Sequence, residues 1–190
     1  LYGDTPLLRA ATMRAAAEAW AGGAAVVVVG FRPTDGQEYG RLVTDDSGAL
    51  TEIVEAKDAT PAQLQIGLCN SGLMAVSGEH LFALLDQTGT DNAKGEYYLT
   101  DIVALAHGKG LETAVVEAEE TELMGINSRG ELAVAEAVAQ TELRARAMAD
   151  GVTLIDPSSV WLAHDTVLGQ DVTVHPNVVF GPGVTVGDNA

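Results

Sequence analysis

Val160-Trp-Leu-Ala-His-Asp-Thr-Val-Leu-Gly-Gln-Asp-Val-Thr-Val-His-Pro-Asn-Val-Val-Phe-Gly-Pro-Gly-Val-Thr-Val-Gly187 is the stretch that decides how this chain is built. Leu162, Leu168, Val174, Phe180 and Val186 stand six apart, and glycine follows three of them directly, at Gly169, Gly181 and Gly187. Val160, Thr166, Val172, Val178 and Val184 repeat with the same spacing, two positions earlier. A period of six fits neither an α-helix nor a single strand. It is the period of a parallel β-helix, in which three short strands make one triangular coil and the apolar position points inward. At about 18 residues per coil, roughly one and a half coils are present.

Immediately upstream, Ser128-x-x-Glu131 reads as a capping box. Leu132, Ala135, Val138, Ala139, Glu142 and Leu143 then keep helical spacing up to Gly151. A helix of about 20 residues is about 30 Å long, enough to link two bodies.

Further upstream the period changes again. Ala24-Ala-Val-Val-Val-Val29 is continuously apolar, the mark of a strand buried on both faces of a parallel sheet. Before it, Leu1-Tyr-Gly-Asp4 reads as the end of a strand and its turn, and Thr5-Pro6 as the N-cap and first position of a helix that Gly22-Gly23 stops. Strand, helix, strand is a βαβ unit, which puts Asp4 at the carboxyl end of a strand, where ligands bind in open α/β sheets. Arg41–Thr44 and Leu50–Val54 flank Asp45-Asp-Ser-Gly48 as a hairpin. Ile66–Val76 reads as a strand interrupted by Asn70-Ser-Gly72, and Ser77-Gly78 opens a helix carrying Leu81, Phe82, Leu84 and Leu85. Asn92-Ala-Lys-Gly-Glu-Tyr-Tyr-Leu-Thr-Asp101 is a polar loop running into a helix from Ile102, and Glu112–Val116 is a further strand.

Composition bounds the function. Among 190 residues, 47% are hydrophobic, so a substantial core forms. Acidic residues outnumber basic ones by 27 to 10, a net charge of −17, which repels nucleic acid and anionic lipid alike. No apolar run reaches 18 residues, the length a membrane span needs. The one cysteine, Cys69, reads as a small buried hydrophobe and points to a reducing, cytoplasmic setting. The chain opens at Leu1 as if inside a structural unit, and reads as a fragment.

Polar residues at strand and loop ends are the candidate ligand positions: Asp4, Gly40, Glu55, Asn70, Tyr98, Thr100 and Asn127. Each alone is an ordinary turn former or solvated group. Together they offer a carboxylate and an amide for a hard cation, and short polar groups for sugar hydroxyls. A site with two protein oxygens suits magnesium, which retains waters and borrows phosphate oxygens. His80, His107, His164 and His175 show no metal-ligand spacing, and there is no P-loop, G-x-G-x-x-G or G-x-S-x-G motif.

Six segments occur in an order that is itself informative: Tyr2-Gly-Asp-Thr-Pro-Leu7, Tyr39-Gly-Arg41, Ile53-Val-Glu-Ala-Lys-Asp-Ala-Thr60, Asn70-Ser-Gly72, Gly95-Glu-Tyr-Tyr-Leu-Thr-Asp101 and Gly125-Ile-Asn-Ser-Arg129. In this the chain resembles the bacterial bifunctional N-acetylglucosamine-1-phosphate uridylyltransferases/glucosamine-1-phosphate N-acetyltransferases, over essentially its whole length. It differs at Glu38, where glycine is usual, and at Ser128, where a second asparagine is usual.

The resemblance implies an α/β fold. Residues 1–130 would be the C-terminal part of a Rossmann-like nucleotidyltransferase domain, 131–151 a linker helix, and 152–190 the first coils of a left-handed parallel β-helix. It implies uridylyl transfer from UTP to N-acetylglucosamine-1-phosphate for cell-wall precursors, with Asp4 and Asn127 holding Mg2+. Gly40, Glu55, Asn70, Tyr98 and Thr100 would contact the N-acetylglucosamine. The glycine-rich loop and basic nucleotide-binding residues of the family have no counterpart in these residues. Neither does the acetyl-CoA and glucosamine-1-phosphate site of the acetyltransferase half, so the chain alone is expected to be inactive. The family's homotrimer is implied for the full-length parent. Two other readings stand beside this one: a related sugar-1-phosphate nucleotidyltransferase with a β-helix tail, and a non-catalytic sugar-binding or trimerisation module.

Overall fold

In the computed structural model, described for residues 3–36 and 38–190, the chain divides into two compact units, Leu1–Gly125 and Ile126–Ala190. The expectations for Leu1 and Tyr2 lie outside the described residues, whereas Glu38 is exposed in the turn ahead of Gly40.

The first unit is built on a five-stranded sheet of order β3-β2-β4-β1-β5, with β1 Val26–Phe31, β2 Arg41–Thr44, β3 Leu50–Val54, β4 Cys69–Val76 and β5 Thr113–Glu117. Every residue of β1 is buried. Val26 and Val28 enter one core with Leu84, Ile102 and Val103, whereas Val27 and Val29 enter another with Ala16, Leu73 and Leu123. Alternate side chains of a strand leave on opposite faces, so an unbroken valine run needs a core on each side. Helix α1 (Ala10–Ala21) supplies one cover, and α2 (Gly78–Leu85) and α3 (Asp101–Gly108) the other.

The sheet is mixed, not wholly parallel. β1 pairs in parallel with β5 but antiparallel with β4. A continuous apolar run reports burial on both faces and carries no information about strand direction, which explains the difference. The interruption at Asn70-Ser-Gly72 is a bulge inside one strand. Register shifts between Val28 and Gly30, Gly72 takes φ +81°, and the Ser71 hydroxyl donates to the Val29 carbonyl at 2.6 Å. Gly30 sits opposite it in a crowded place, since a Cβ there would lie 2.6 Å from Leu42 Cδ1 and force the surrounding side chains to shift.

Two further details depart from the sequence reading. Helix α1 begins at Ala10, not at Thr5-Pro6, which lies in a turn where Leu8 N–H donates to Thr5 O at 3.5 Å. On α2, Leu84 is fully buried but Phe82 is 73% exposed, because helical spacing puts it on the opposite side.

The second unit starts with α4, Arg129–Ala149, whose N-cap Ser128 hydroxyl accepts from Glu131 N–H at 3.2 Å. The reciprocal bond of a capping box shifts by one residue: the Glu131 carboxylate accepts from Asn127 N–H. Beyond α4, short parallel pairs stack: β6 (Thr153–Leu154) with β8 (Thr173–Val174), and β7 (Val167–Leu168) with β9 (Thr185–Val186). Side chains tie one coil to the next across 18 residues, from Ser159 to Asn177, Asp165 to Gly183 and Asp188 to Gln170. At the corners, Asp171, Asn177, Gly183 and Asn189 have φ of 56°, 63°, 73° and 60°. The period of six therefore marks left-handed backbone corners as well as inward side chains. Val160, Leu162, Val172 and Val174 form the buried core, against which Leu143 and Ala147 of α4 pack.

Candidate functional site

The loops around β2, β3 and β4 meet the segment before α3 at a cavity of about 220 Å³, lined by Glu55, Asn70, Gly72, Met74 and Tyr97 to Thr100. Gly40 adjoins it. Its carbonyl accepts Asn70 N–H at 2.8 Å, and a Cβ on it would lie 3.5 Å from Glu55 Oε2. The five positions named for a sugar thus gather in one place, from four separate stretches of chain.

Local chemistry explains the gathering. The bulge in β4 turns the chain at Asn70, whose side-chain oxygen accepts Gly72 N–H at 2.9 Å. The loop before α3 is folded on Asn92, whose Oδ1 accepts from the N–H groups of Lys94 and Glu96, both at 3.2 Å. It is pinned to the turn after β3 by Ala93 N–H donating to Asp58 Oδ1 at 2.7 Å. Thr100 then donates its hydroxyl to Glu55 Oε1 at 3.1 Å.

The Tyr98 hydroxyl is shielded from solvent, with the Lys94 backbone as its nearest polar neighbour, too poorly aligned to satisfy it fully. Shielding pushes the phenol above its usual range, and the negative charges of Asp58, Glu55 and Glu96 add to this, so it remains a donor. Asp101 is raised too, first by burial and then by Asp58. The cavity offers a carboxylate, an amide, a phenol and a hydroxyl, with Met74 and Leu99 as an apolar wall; no lysine, arginine or histidine lines it. Such a lining suits an uncharged, hydroxyl-rich group bearing a small apolar substituent.

Sequence reasoning passed over Met74, Tyr97 and Leu99. The adjacent Tyr98 and Thr100 were the available signal for Tyr97 and Leu99. Nothing marks Met74, because its side of the sheet depends on the bulge.

Asp4 is exposed in the turn ahead of α1, in the first unit. Asn127 is exposed just ahead of α4, in the second unit, with its backbone N–H already given to Glu131. No group of three or more His, Cys, Asp or Glu side chains suited to a metal occurs among the described residues. Asp4 and Asn127 do supply the hard oxygen donors that magnesium prefers. Cys69 is 1% exposed, and burial raises its thiol despite the lowering influence of Arg41, as befits an inert packing residue. No helix among the described residues is long and apolar enough to cross a membrane.

The bacterial transferase hexapeptide (six repeats) family matches residues 165–190, the stacked coils. Three curated relatives named bifunctional protein GlmU match far more of the chain. That of Paramagnetospirillum magneticum is 55% identical over 100% of this chain and 42% of its own length. That of Brucella anthropi is 53% identical over the same shares, and that of Rhodospirillum rubrum 59% identical over 91% of this chain and 39% of its own. The chain belongs to the bifunctional GlmU family. It spans about 42% of the length of the first two GlmU relatives. A solved nucleoside-diphosphate-sugar pyrophosphorylase from Vibrio cholerae RC9 aligns at a TM-score of 0.46 and 13% identity, over 67% of this chain and 49% of that one, a likeness too slight to assign a fold.

Proposed function

We propose that this chain is the middle of a cytoplasmic bifunctional enzyme, with its first unit the sugar-side half of a Rossmann-like uridylyltransferase domain. In this reading the cavity holds the N-acetylglucosamine of N-acetylglucosamine-1-phosphate. Glu55, Asn70, Tyr98 and Thr100 meet its hydroxyls and acetamido group, and Gly40 keeps the wall thin. The acetamido methyl rests on Met74 and Leu99. The cavity has no cation, so the phosphate projects out of it towards the nucleotide. There a phosphate oxygen attacks the α-phosphorus of UTP, a new P–O bond forms, and pyrophosphate leaves with the electrons of the broken bond. Held by Asp4 and Asn127, Mg2+ would neutralise phosphate charge. Alignment and charge neutralisation carry most of such a reaction.

The second unit begins the left-handed β-helix of the acetyltransferase half, which in the full-length protein would use acetyl-CoA and glucosamine-1-phosphate as a homotrimer. The product, UDP-N-acetylglucosamine, would feed cell-wall precursor synthesis.

The observation that carries the sugar reading is the convergence of Gly40, Glu55, Asn70, Tyr98 and Thr100 on one cavity without basic residues. The test is steady-state kinetics of Asn70→Ala in the full-length enzyme. Loss of an amide that pairs with the substrate raises KM for the sugar phosphate by on the order of tenfold or more, with KM for UTP little changed. Equal effects on both substrates would overturn the assignment.

A further inference from the structure

Glu122 is a buried carboxylate that the proposed reaction leaves unused. It is 5% exposed and lies in the 3-10 turn Glu120–Leu123. Its Oε2 accepts the Thr12 hydroxyl at 2.6 Å and Arg9 N–H at 3.2 Å, and its Oε1 lies 3.4 Å from Arg9 Nη1. Arg9 is the N-cap of α1, with no side-chain cap of its own, and the first turn of α1 holds no acidic residue. Glu122 therefore caps this helix from 110 positions further along the chain. The negative end of the capping pair faces the positive end of the helix dipole.

The arrangement is costly in a way that a local cap is not. A carboxylate taken out of water needs donors to replace its hydration, and a glutamate three residues into the helix would accept the same N-cap N–H without burial. Thr5 was the sequence's own candidate for the N-cap, and the helix starts beyond it. What the distant cap does, and a local one cannot, is tie two segments together. One is the approach to α1 through Leu8 and Arg9, which follows the turn carrying Asp4. The other is the 3-10 turn Glu120–Leu123. Apolar packing adds to the tie, since Leu8 packs against the core cluster that contains Leu123.

We infer that Glu122 is a positioning residue for the metal-binding segment: by capping α1 it fixes the turn that presents the Asp4 carboxylate. This rests on the reading of Asp4 as a magnesium ligand. Groups that orient a ligand from behind typically alter metal affinity by about 10–100-fold when removed.

The test uses the full-length enzyme and Mn2+ as a spectroscopic substitute, with free Mn2+ followed by electron paramagnetic resonance. Three variants are compared: Glu122→Ala, which removes the acceptor of the Arg9 N–H and the Thr12 hydroxyl; Glu122→Gln, which retains an acceptor without the charge; and Thr12→Val, which removes one donor. A fourth, Ala16→Gly, weakens the same helix without touching the cap. The expected result is Mn2+ affinity weakened about tenfold in Glu122→Ala, with partial rescue in Glu122→Gln and a smaller loss in Thr12→Val. The magnesium concentration for half-maximal uridylyl transfer should rise in parallel while kcat at saturating magnesium changes little. Ala16→Gly should lose stability with no change in Mn2+ affinity. If Glu122→Ala does not fold, Glu122→Gln and Thr12→Val decide the matter. Unchanged Mn2+ affinity in the cap variants, with Asp4→Ala defective, would overturn the positioning role alone. Unchanged affinity in Asp4→Ala would overturn the metal reading, and this inference with it.

Discussion

The hydroxyl of Thr100, at the entrance to α3, donates to Oε1 of Glu55, at the exit of β3, at 3.1 Å. That bond joins a loop to the end of a strand and orders one wall of the cavity before any ligand arrives. Thr100→Val keeps the shape and removes the donor, leaving a carboxylate facing a methyl group. On the proposed sugar reading, the full-length enzyme carrying this change has a KM for the sugar phosphate raised by roughly tenfold, with stability changed by about 1 kcal/mol or less. Kinetics and urea unfolding of the same preparation check both.

Gln140 is 3% exposed and clamps the first coil to α4: its Nε2 donates to Leu162 O at 2.7 Å and its Oε1 accepts Leu162 N–H at 2.9 Å. Gln140→Leu leaves both backbone groups buried without a partner, at a cost of about 1–3 kcal/mol each. The second unit should unfold earlier on heating. Calorimetry, read beside the unaltered transition of the first unit, measures this.

Gly169 has no room for a side chain. A Cβ there would lie 2.4 Å from Asp188 Oδ1 and 2.7 Å from Asp188 N. Since the nearest obstacles include backbone, the next coil would have to move, and Gly169→Ala should cost about 1–3 kcal/mol. Thermal unfolding of Gly169→Ala beside the parent protein measures this, and an unchanged transition would contradict this view of the coil.

Burial, and then the charge of Asp58, raise the Asp101 carboxyl above its usual range. The folded state therefore holds this proton more tightly than the unfolded chain does. Its contribution is fully favourable below the unfolded carboxylate range and is lost as pH rises through the higher folded value. Asp101→Asn should accordingly stabilise the first unit above that window and have no benefit at acidic pH. Urea midpoints across a pH series give the comparison.

What could be read from sequence was whatever local chemistry repeats or punctuates. The β-helix was legible because each inward position at six-residue spacing reports the same geometry. The hairpin turn was legible because Asp45 and Gly48 do their work within four residues, Asp45 Oδ1 accepting from Ser47 and Ala49. The break in β4 was legible because Asn70-Ser-Gly72 interrupts an apolar run, whereas the gathering of Gly40, Glu55, Tyr98 and Thr100 beside it depends on contacts between distant stretches that no local pattern reports. The start of α1 was not, because its cap is Glu122, remote in the chain. Nor was the exposure of Phe82, since an apolar residue on a helix does not declare which side faces the core. Strand direction around β1 escaped for a related reason: valine reports burial, and direction is set by the connections.

The remote cap has a consequence for the order in which the chain acquires structure. During synthesis from the amino terminus, α1 emerges long before its capping carboxylate, and β1 emerges before the partner strand β5 that completes its parallel edge. Contacts this distant in sequence must await closure of a long loop, which slows folding. The first unit therefore cannot lock until almost all of it has left the ribosome, and until then the valines of β1 are exposed to other chains. The second unit has no such delay, because each of its coils can settle on the one made just before it.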